Sequence, residues 1–216
     1  MPMVSPYIAA GGPDFANVSL LLHMNGTDGS TTFTDSSNNA HTFTANGHAQ
    51  IDTAQSKYGG ASGLFDGNND YVYTPNNAVF KFGANNFTIE FWIRAATVSG
   101  VRQIINTGTA ATTNLSYAIL ASGTSLLYYL SSNGSSWNLA NGVSIGTIAT
   151  NTWYHVALTW DGSVYRAFLD GVAGTATTSS TALFDHNGTN LLVGMFAGAT
   201  TTGWNGWIDD VRITKG

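Results

Sequence analysis

Apolar residues recur along this chain in short stretches that turn residues separate. The segments 87–94 (FTIEFWIR) and 153–159 (WYHVALT) alternate between two faces, which is the period of a β-strand and not of a helix. The pairs Asp161-Gly162 and Asp170-Gly171 flank a further strand at 163–169 and indicate two consecutive hairpins. At least ten such strands, spaced by about 8–12 residues, predict an all-β antiparallel sandwich of two sheets.

Two local signals refine this picture. Asn133-Gly134 tolerates positive φ at both central positions of a turn, so we expect a hairpin there with Trp137 on the returning strand. A short helix-like gap lies near 76–82.

The N-terminus is set apart by its prolines. Three of the four prolines are Pro2, Pro6 and Pro13, and proline favours extended geometry in the residue before it. We expect residues 1–16 to form an extended arm and residues 17–216 to form one domain. A frayed terminus is the alternative to the arm.

Composition excludes several classes of protein. The 216 residues include no cysteine, which excludes a disulfide scaffold, a thiolate zinc site and a cysteine nucleophile. Only 9% of residues are charged, and 7 Lys+Arg face 12 Asp+Glu, so no basic stripe exists for nucleic acid. No apolar run is long enough to span a membrane. The Gly-, Thr-, Ser- and Asn-rich surface is typical of extracellular and virion-surface proteins.

Residues 1–12 lack Lys and Arg, and prolines interrupt their apolar stretch, so they do not resemble an export signal. We therefore expect a product that cell lysis releases, as phage virion proteins are released. A secreted chain whose signal has been removed is the alternative.

Several motifs point to a known family. They are LLLHMNG (20–26), FTDSSNNAHTFTANG (33–47), SKYGGASGLFDGNNDYVYTP (56–75), NNFTIEFWIR (85–94), TWYHVALTWDGSVYRAFLDG (152–171) and NGWIDDVRITKG (205–216). In these segments the chain resembles the concanavalin A-like lectin/glucanase superfamily, and more narrowly its laminin-G-like branch. The resemblance implies a jelly-roll sandwich that binds a ligand without catalysing a reaction.

Catalysis has little support in the sequence. Retaining glycosidases need two carboxyl groups about 5–5.5 Å apart, but Glu90 is the sole glutamate and its same-face neighbours are Thr88 and Trp92. We expect Glu90 to be a structural polar partner. The resemblance makes His155 a framework residue that packs within the sheet. No Gly-x-Ser-x-Gly elbow is present.

Calcium is the metal that the resemblance implies. Relatives hold one structural calcium with the aspartate of their last strand, which corresponds to Asp209, and with oxygens near Asn25 and Gly67. The alternative is that Asp209 accepts hydrogen bonds from loop amides or pairs with Arg212. The histidines show no spacing typical of a zinc site.

Carbohydrate binding needs exposed aromatic faces beside polar groups. We expect Trp204, Trp137 and Tyr128 to be the ligand-binding residues, with Tyr129 and Phe196 as further candidates. Trp204 is the foremost of these because small residues surround it in sequence. The four tryptophans inside strand motifs are expected in the core, and they are Trp92, Trp153, Trp160 and Trp207.

The leading hypothesis is a non-enzymatic virion surface protein, on a phage capsid or a tail fibre. Its arm would contact coat or tail proteins in a homo-oligomer or larger assembly, and its domain would attach to a surface, with host glycans as a candidate ligand. The second hypothesis is a carbohydrate-binding lectin module of a secreted bacterial protein, with an extracellular location. A glycoside hydrolase or polysaccharide lyase is the third.

Overall fold

The structure is a computed structural model that describes residues 13–107, 115–186, 190–196, 199 and 201–216. The described residues form sixteen strands and two 3₁₀ helices, the latter at Pro13–Asn17 and Ala78–Phe80. The strands are β1 (Val18–Leu22), β2 (Thr44–Asn46), β3 (Gln50–Asp52), β4 (Ser62–Asp66), β5 (Tyr71–Thr74), β6 (Phe87–Ala95), β7 (Val101–Thr107), β8 (Tyr117–Ser122), β9 (Ser125–Leu130), β10 (Ala140–Thr147), β11 (Trp153–Trp160), β12 (Val164–Leu169), β13 (Val172–Ala173), β14 (Thr177–Thr178), β15 (Leu191–Val193) and β16 (Asn205–Lys215).

These strands form two sheets. The nine-stranded sheet has the order β13-β12-β11-β6-β16-β4-β3, and β1 also pairs with β16 while β14 pairs with β12. The seven-stranded sheet has the order β10-β9-β8-β7-β15-β5-β2. The strands pair antiparallel throughout, which confirms the prediction of an all-β two-sheet sandwich.

The core lies between the sheets, and strand alternation decides which side chains enter it. In β9, Leu126, Tyr128 and Leu130 belong to the core, whereas Leu127 and Tyr129 are half-buried on the other face. The outer face of the seven-stranded sheet therefore carries aromatic side chains of its own.

Charge is divided unequally between the sheets. In the seven strands of the smaller sheet, Arg102 is the single charged residue. The strands of the larger sheet carry nine, namely Asp52, Asp66, Glu90, Arg94, Arg166, Asp209, Asp210, Arg212 and Lys215. The two outer faces therefore offer different chemistry, one neutral and one ionic.

The part of the predicted arm that the structure describes is not extended. Residues 13–16 fall in the first 3₁₀ helix, and Phe15 is buried against Val18 and Leu21. This apolar contact anchors the chain immediately before β1. Residues 1–12 of the predicted arm lie outside the described residues.

The turn predictions have mixed outcomes. The two Asp-Gly turns join β11 to β12 and β12 to β13 as expected, and the short helix near 76–82 is confirmed. Asn133-Gly134 lies in the β9–β10 connection, but this connection is the loop 131–139 and not a tight turn. The expectation that Trp137 lies on the returning strand is therefore wrong, because Trp137 belongs to that loop. No helix among the described residues has the length and apolar character to cross a membrane.

The environment of Trp204 yields a stability prediction. Its indole is fully buried and its Nε1 donates to the carbonyl of Trp207 at 3.2 Å, whereas Trp137 is half-buried. We expect Trp204→Ala to lower the free energy of unfolding by about 3–5 kcal/mol, and Trp137→Ala to lower it far less. Urea denaturation of the two variants measures the difference, and equal losses would contradict this placement of the core.

Candidate functional site

Two of the three predicted ligand-binding aromatics are in the core. Trp204 and Tyr128 both have 0% exposure, so the prediction that they contact a ligand is wrong. The hydroxyl of Tyr128 lies within hydrogen-bond distance of the carbonyl of Thr175 (3.0 Å) and Oγ1 of Thr177 (2.7 Å). The pleat of β9 instead turns the next residue, Tyr129, to the outer face.

Tyr129 and Trp137 form an inclined aromatic pair on this outer face. Their ring centroids are 5.6 Å apart, with an angle of 59° between the planes, and both side chains are half-buried. We call this pair the Tyr129–Trp137 cleft. Neither the Tyr129 hydroxyl nor the Trp137 indole N–H makes a hydrogen bond within the described residues, so both polar groups can serve a ligand.

The loop 131–139 holds Trp137 in place through side-chain hydrogen bonds to its own backbone. Asn133 Oδ1 accepts from the amides of Ser135 and Ser136, each at 3.0 Å. Asn138 Oδ1 accepts from the amide of Ser132 at 3.0 Å. Such Asx turns fix the backbone of a loop, so the indole is preorganised instead of being ordered by a ligand.

The edge strand makes room for Tyr129 through one glycine. Gly142 has φ +71°, and a Cβ at this position would lie 3.0 Å from the Tyr129 hydroxyl oxygen. The register of β10 against β9 shifts here between Ala140 and Val143. This irregularity lets the tyrosine ring lie beside the edge strand, where exposed Asn141 and Ser144 supply polar groups.

The centre of the same sheet face is covered. Ala118, Asn106 and Leu192 are adjacent across β8, β7 and β15, and all three have 0% exposure. Asn106 Nδ2 donates to the carbonyl of Met195 at 3.2 Å, so the chain that follows β15 lies over this centre. A ligand can therefore reach the flanks of the face but not its middle.

Charge is absent from the strands that carry the cleft. Arg102, the one charged residue of the sheet, lies on β7 and is engaged elsewhere, since its Nε donates to the carbonyl of Ser99 (3.0 Å) and its Nη1 to that of Gly203 (3.2 Å). The cleft therefore combines apolar ring faces with neutral hydroxyl and amide groups. This chemistry suits an uncharged polar ligand with apolar C–H faces.

Glu90 lies on the outer face of the other sheet, and its bonding does not suit a catalytic acid. Its carboxylate accepts hydrogen bonds from the Arg212 guanidinium and lies 3.2 Å from His155 Nε2. Burial acts to raise the pKa of Glu90, but the contacts with His155 and Arg212 outweigh it and hold the pKa below its usual range. A general acid needs the opposite shift. The adjoining hollow, which Asp210 also lines, has space for about one water molecule and not for a sugar.

The tryptophans of the strand motifs are not all in the core. Trp160 lies in the core, as expected, whereas Trp153 and Trp207 are half-buried on the outer face of the nine-stranded sheet. The Arg94 guanidinium lies over the Trp207 ring at 5.0 Å, and Trp207 Nε1 donates to Asp52 at 2.6 Å. Trp92 is buried on that same face beneath Lys57, whose Nζ lies 4.1 Å from its ring centroid. Expecting the whole set in the core was wrong, because alternate residues of β6, β11 and β16 face outward.

Asp209 is bound as a structural carboxylate. Its Oδ2 accepts from the amides of Lys57 (2.7 Å) and Tyr58 (3.0 Å), while its Oδ1 is buried without a hydrogen-bond partner in the described part of the chain. Burial raises the pKa of Asp209 to about 7, although the two amides act to lower it. The alternative that Asp209 accepts from loop amides is therefore confirmed, and Arg212 pairs with Glu90 instead.

The predicted calcium ligands do not assemble around Asp209. The Asn25 side chain lies against Gly59, near the loop that Asp209 binds and before β4 begins, whereas Gly67 follows the end of β4 and lies beside Asn205. Five strand residues separate these positions by roughly 16 Å. Calcium needs six to eight oxygens, and this set offers one free carboxylate oxygen, so it does not fit the ion.

One carboxylate–histidine cluster was not anticipated. Ligand atoms of His48, Asp66 and Asp70 lie within 4.8 Å of one another, but no regular spacing in the sequence reveals it. Asp70 is buried, and its two oxygens accept from the amides of His48 (2.6 Å) and Asp66 (2.7 Å). The cluster therefore links the β2–β3 turn to the β4–β5 turn.

The raised pKa of Asp209 gives a pH-dependent prediction. Because the pKa of Asp209 in the folded state is about 7, above its ordinary value of 3.8, a favourable contribution present below pH 4 is lost as the pH rises through 7. Asparagine stays neutral at every pH. The free energy of unfolding of Asp209→Asn minus that of the original protein should therefore rise by roughly 2–4 kcal/mol between pH 4 and pH 8. Urea denaturation at several pH values, in EDTA and in calcium, checks this. A difference in free energy of unfolding that does not change with pH would contradict this prediction. If calcium stabilised the original protein but not Asp209→Asn, Asp209 would be a calcium ligand after all.

Solved structures with a similar fold include two domains that are named as binding domains. The binding domain of Paraclostridial Mosquitocidal Protein 1 is 14% identical with a TM-score of 0.72, over 93% of this chain and 49% of that one. The receptor binding domain of botulinum neurotoxin C/D mosaic serotype is 13% identical with a TM-score of 0.68, over 93% and 48%. This chain therefore spans about half the length of these toxin domains. Domain 4 of AbnA, a GH43 extracellular arabinanase from Geobacillus stearothermophilus, was solved with arabinotriose. It is 16% identical with a TM-score of 0.65, over 93% of both chains.

No curated protein matches the chain. A family profile does match, over residues 66–216, and its description is the concanavalin A-like lectin/glucanases superfamily. The match covers more than half of the chain, and the two-sheet sandwich agrees with it. The chain therefore belongs to the laminin-G-like branch of the concanavalin A-like lectin/glucanase superfamily.

Proposed function

We propose that this domain is a non-catalytic module that binds neutral carbohydrate at the Tyr129–Trp137 cleft. One observation carries the proposal: an inclined, half-buried aromatic pair lies at the edge of a sheet whose strands contain one charged residue. Aromatic faces pack against the C–H faces of a sugar, and neutral amides and hydroxyls bond its hydroxyl groups. An anionic glycan would find no cation on these strands to pair with at the cleft.

The structural relatives support a binding role. The toxin relatives are binding domains, and the arabinanase domain, which this chain matches over nearly its full length, was solved with an arabinose trisaccharide. At 13–16% identity these likenesses extend to the fold alone. The ligand class therefore rests on the residues of the cleft.

A hydrolytic role is disfavoured by the position of Glu90. Its carboxylate is held by Arg212 and His155 on the sheet opposite to the cleft, and its pKa is lowered where a general acid needs it raised. In this proposal the domain retains its ligand unchanged.

The setting of the module remains a prediction from sequence. We propose the virion surface, where residues 1–12 of the arm predicted at residues 1–16 contact coat or tail proteins, and a secreted lectin module as the alternative. Deleting residues 1–12 should abolish incorporation into particles while leaving saccharide affinity intact. Normal incorporation of the truncated protein would contradict the role of the arm.

The cleft predicts a specific loss of affinity. Trp137→Ala and Tyr129→Ala should each weaken binding of the best neutral ligand from a panel (arabinotriose, xylotriose, cellotriose, maltotriose) at least about tenfold, because each removes a preorganised aromatic contact. Isothermal titration calorimetry measures the affinities.

Trp153→Ala is the matched control, since Trp153 is also half-buried but lies on the outer face of the other sheet. It should leave affinity unchanged. If no trisaccharide of the panel binds, or if Trp153→Ala weakens binding as much as Trp137→Ala, the proposed site is wrong.

Substitution of Glu90 should change the stability of the fold and not the affinity for saccharide. Glu90→Gln leaves Arg212 without its anionic partner, so the free energy of unfolding should fall by about 1–3 kcal/mol while saccharide affinity stays within twofold. Denaturation and calorimetry on one preparation test both. Saccharide hydrolysis by the original protein that Glu90→Gln abolishes would establish an enzyme instead.

A further inference from the structure

A second aromatic pair lies on the outer face of the seven-stranded sheet, at its opposite flank. Tyr71 and Tyr73 are half-buried on β5, and Val72 between them belongs to the core, so both tyrosines share the outer face. Their ring centroids are 5.8 Å apart, with an angle of 44° between the planes. The pair is accessible and, like the Tyr129–Trp137 cleft, is not flat.

Polar groups accompany this pair on the adjoining edge strand. β2 places Thr44 opposite Tyr73 and Asn46 opposite Tyr71. Asn46 Nδ2 donates to the carbonyl of Asn69 at 2.8 Å, which fixes the amide and leaves its Oδ1 as an acceptor. The first site has the same construction, with Tyr129 on the strand next to the edge and polar residues on edge strand β10.

The two pairs share one row of the sheet but not one groove. Successive partners across the strands are Tyr129, Ala118, Asn106, Leu192 and Tyr73. Four strand spacings separate the two tyrosines by about 19 Å. The three residues between them have 0% exposure. A saccharide bound at one flank therefore cannot extend along the sheet surface to the other flank.

Charge near the second pair is already engaged. Two carboxylates precede β5, since Asp66 ends β4 and Asp70 lies in the turn between β4 and β5. Asp70 is buried and its oxygens accept from backbone amides, while Asp66 lies 3.1 Å from His48 Nδ1. The strands that carry the tyrosines and their polar neighbours hold no charge.

We propose that the Tyr71–Tyr73 pair is a second, separate binding site for neutral carbohydrate, so that one domain holds two saccharide chains. This inference rests on the proposed function of the Tyr129–Trp137 cleft and extends it. Two sites on one rigid sheet raise the avidity for a polymer well above the affinity for a short chain.

The test is an NMR titration of the ¹⁵N-labelled full chain with the best-binding trisaccharide of the panel above. We expect shifts in two groups of amides, one around Tyr73 and Thr44 and one around Tyr129 and Gly142. Trp137→Ala should remove the second group and keep the first. Tyr73→Ala should weaken the affinity measured from the amides around Tyr73 about tenfold and leave the affinity measured around Tyr129 unchanged. Tyr73→Phe retains the ring, so its affinity at the Tyr71–Tyr73 pair should stay within a few fold of that of the original protein.

The outcomes separate the two proposals. Shifts confined to the Tyr129–Trp137 cleft would overturn the second site and leave the proposed function standing. Shifts near Tyr73 that disappear in Trp137→Ala would show one continuous site and would also overturn it. Shifts in neither group would overturn both proposals. Tyr71→Ala provides a second variant, and the unperturbed core resonances of each variant establish that it is folded.

Discussion

The proposed binding surface depends on the pleat of one strand, β9. Successive side chains of a strand point to opposite faces, so burying Tyr128 in the core requires Tyr129 to lie outside. Register with β8 and β10 then sets where that ring meets the loop that carries Trp137. A slip of one residue would exchange the two tyrosines and remove the cleft.

The second organising feature is the division of charge between the sheets. The strands of the nine-stranded sheet carry nine charged residues, and on its outer face Arg212, Glu90 and His155 form a chain of contacts. The smaller sheet presents rings, hydroxyls and amides with Arg102 as its single strand charge. In the proposed function, recognition belongs to the smaller sheet, whereas Glu90 contributes to the stability of the other sheet through Arg212 and His155.

The fold was predictable from sequence because alternation and Asp-Gly turns are local signals. The site was only partly predictable. Trp137 lies among turn residues, which led to the prediction that it is accessible, and its side chain is half-buried. The stretch 126–130 (LLYYL) is apolar or aromatic at every position, so alternation could not decide which tyrosine faces outward. Trp204 lies among small residues that suggested exposure. Instead Gly203 and Gly206, whose Cβ atoms would approach neighbouring backbone at 3.2 and 2.2 Å, let the chain pass close enough to bury the indole. The calcium prediction grouped Asn25 with Gly67, but these residues lie near opposite ends of β4. The sequence motifs do not reveal this separation.

The indole N–H resonances of the six tryptophans offer the most direct measurement of the central claim, that a neutral saccharide is held at the Tyr129–Trp137 cleft. When the best neutral trisaccharide is added, the Trp137 resonance should shift saturably while those of Trp153 and Trp207 stay in place, and a carboxylated analogue of the same length should cause no shift. A static Trp137 resonance, or shifts confined to Trp153 and Trp207, would contradict the account.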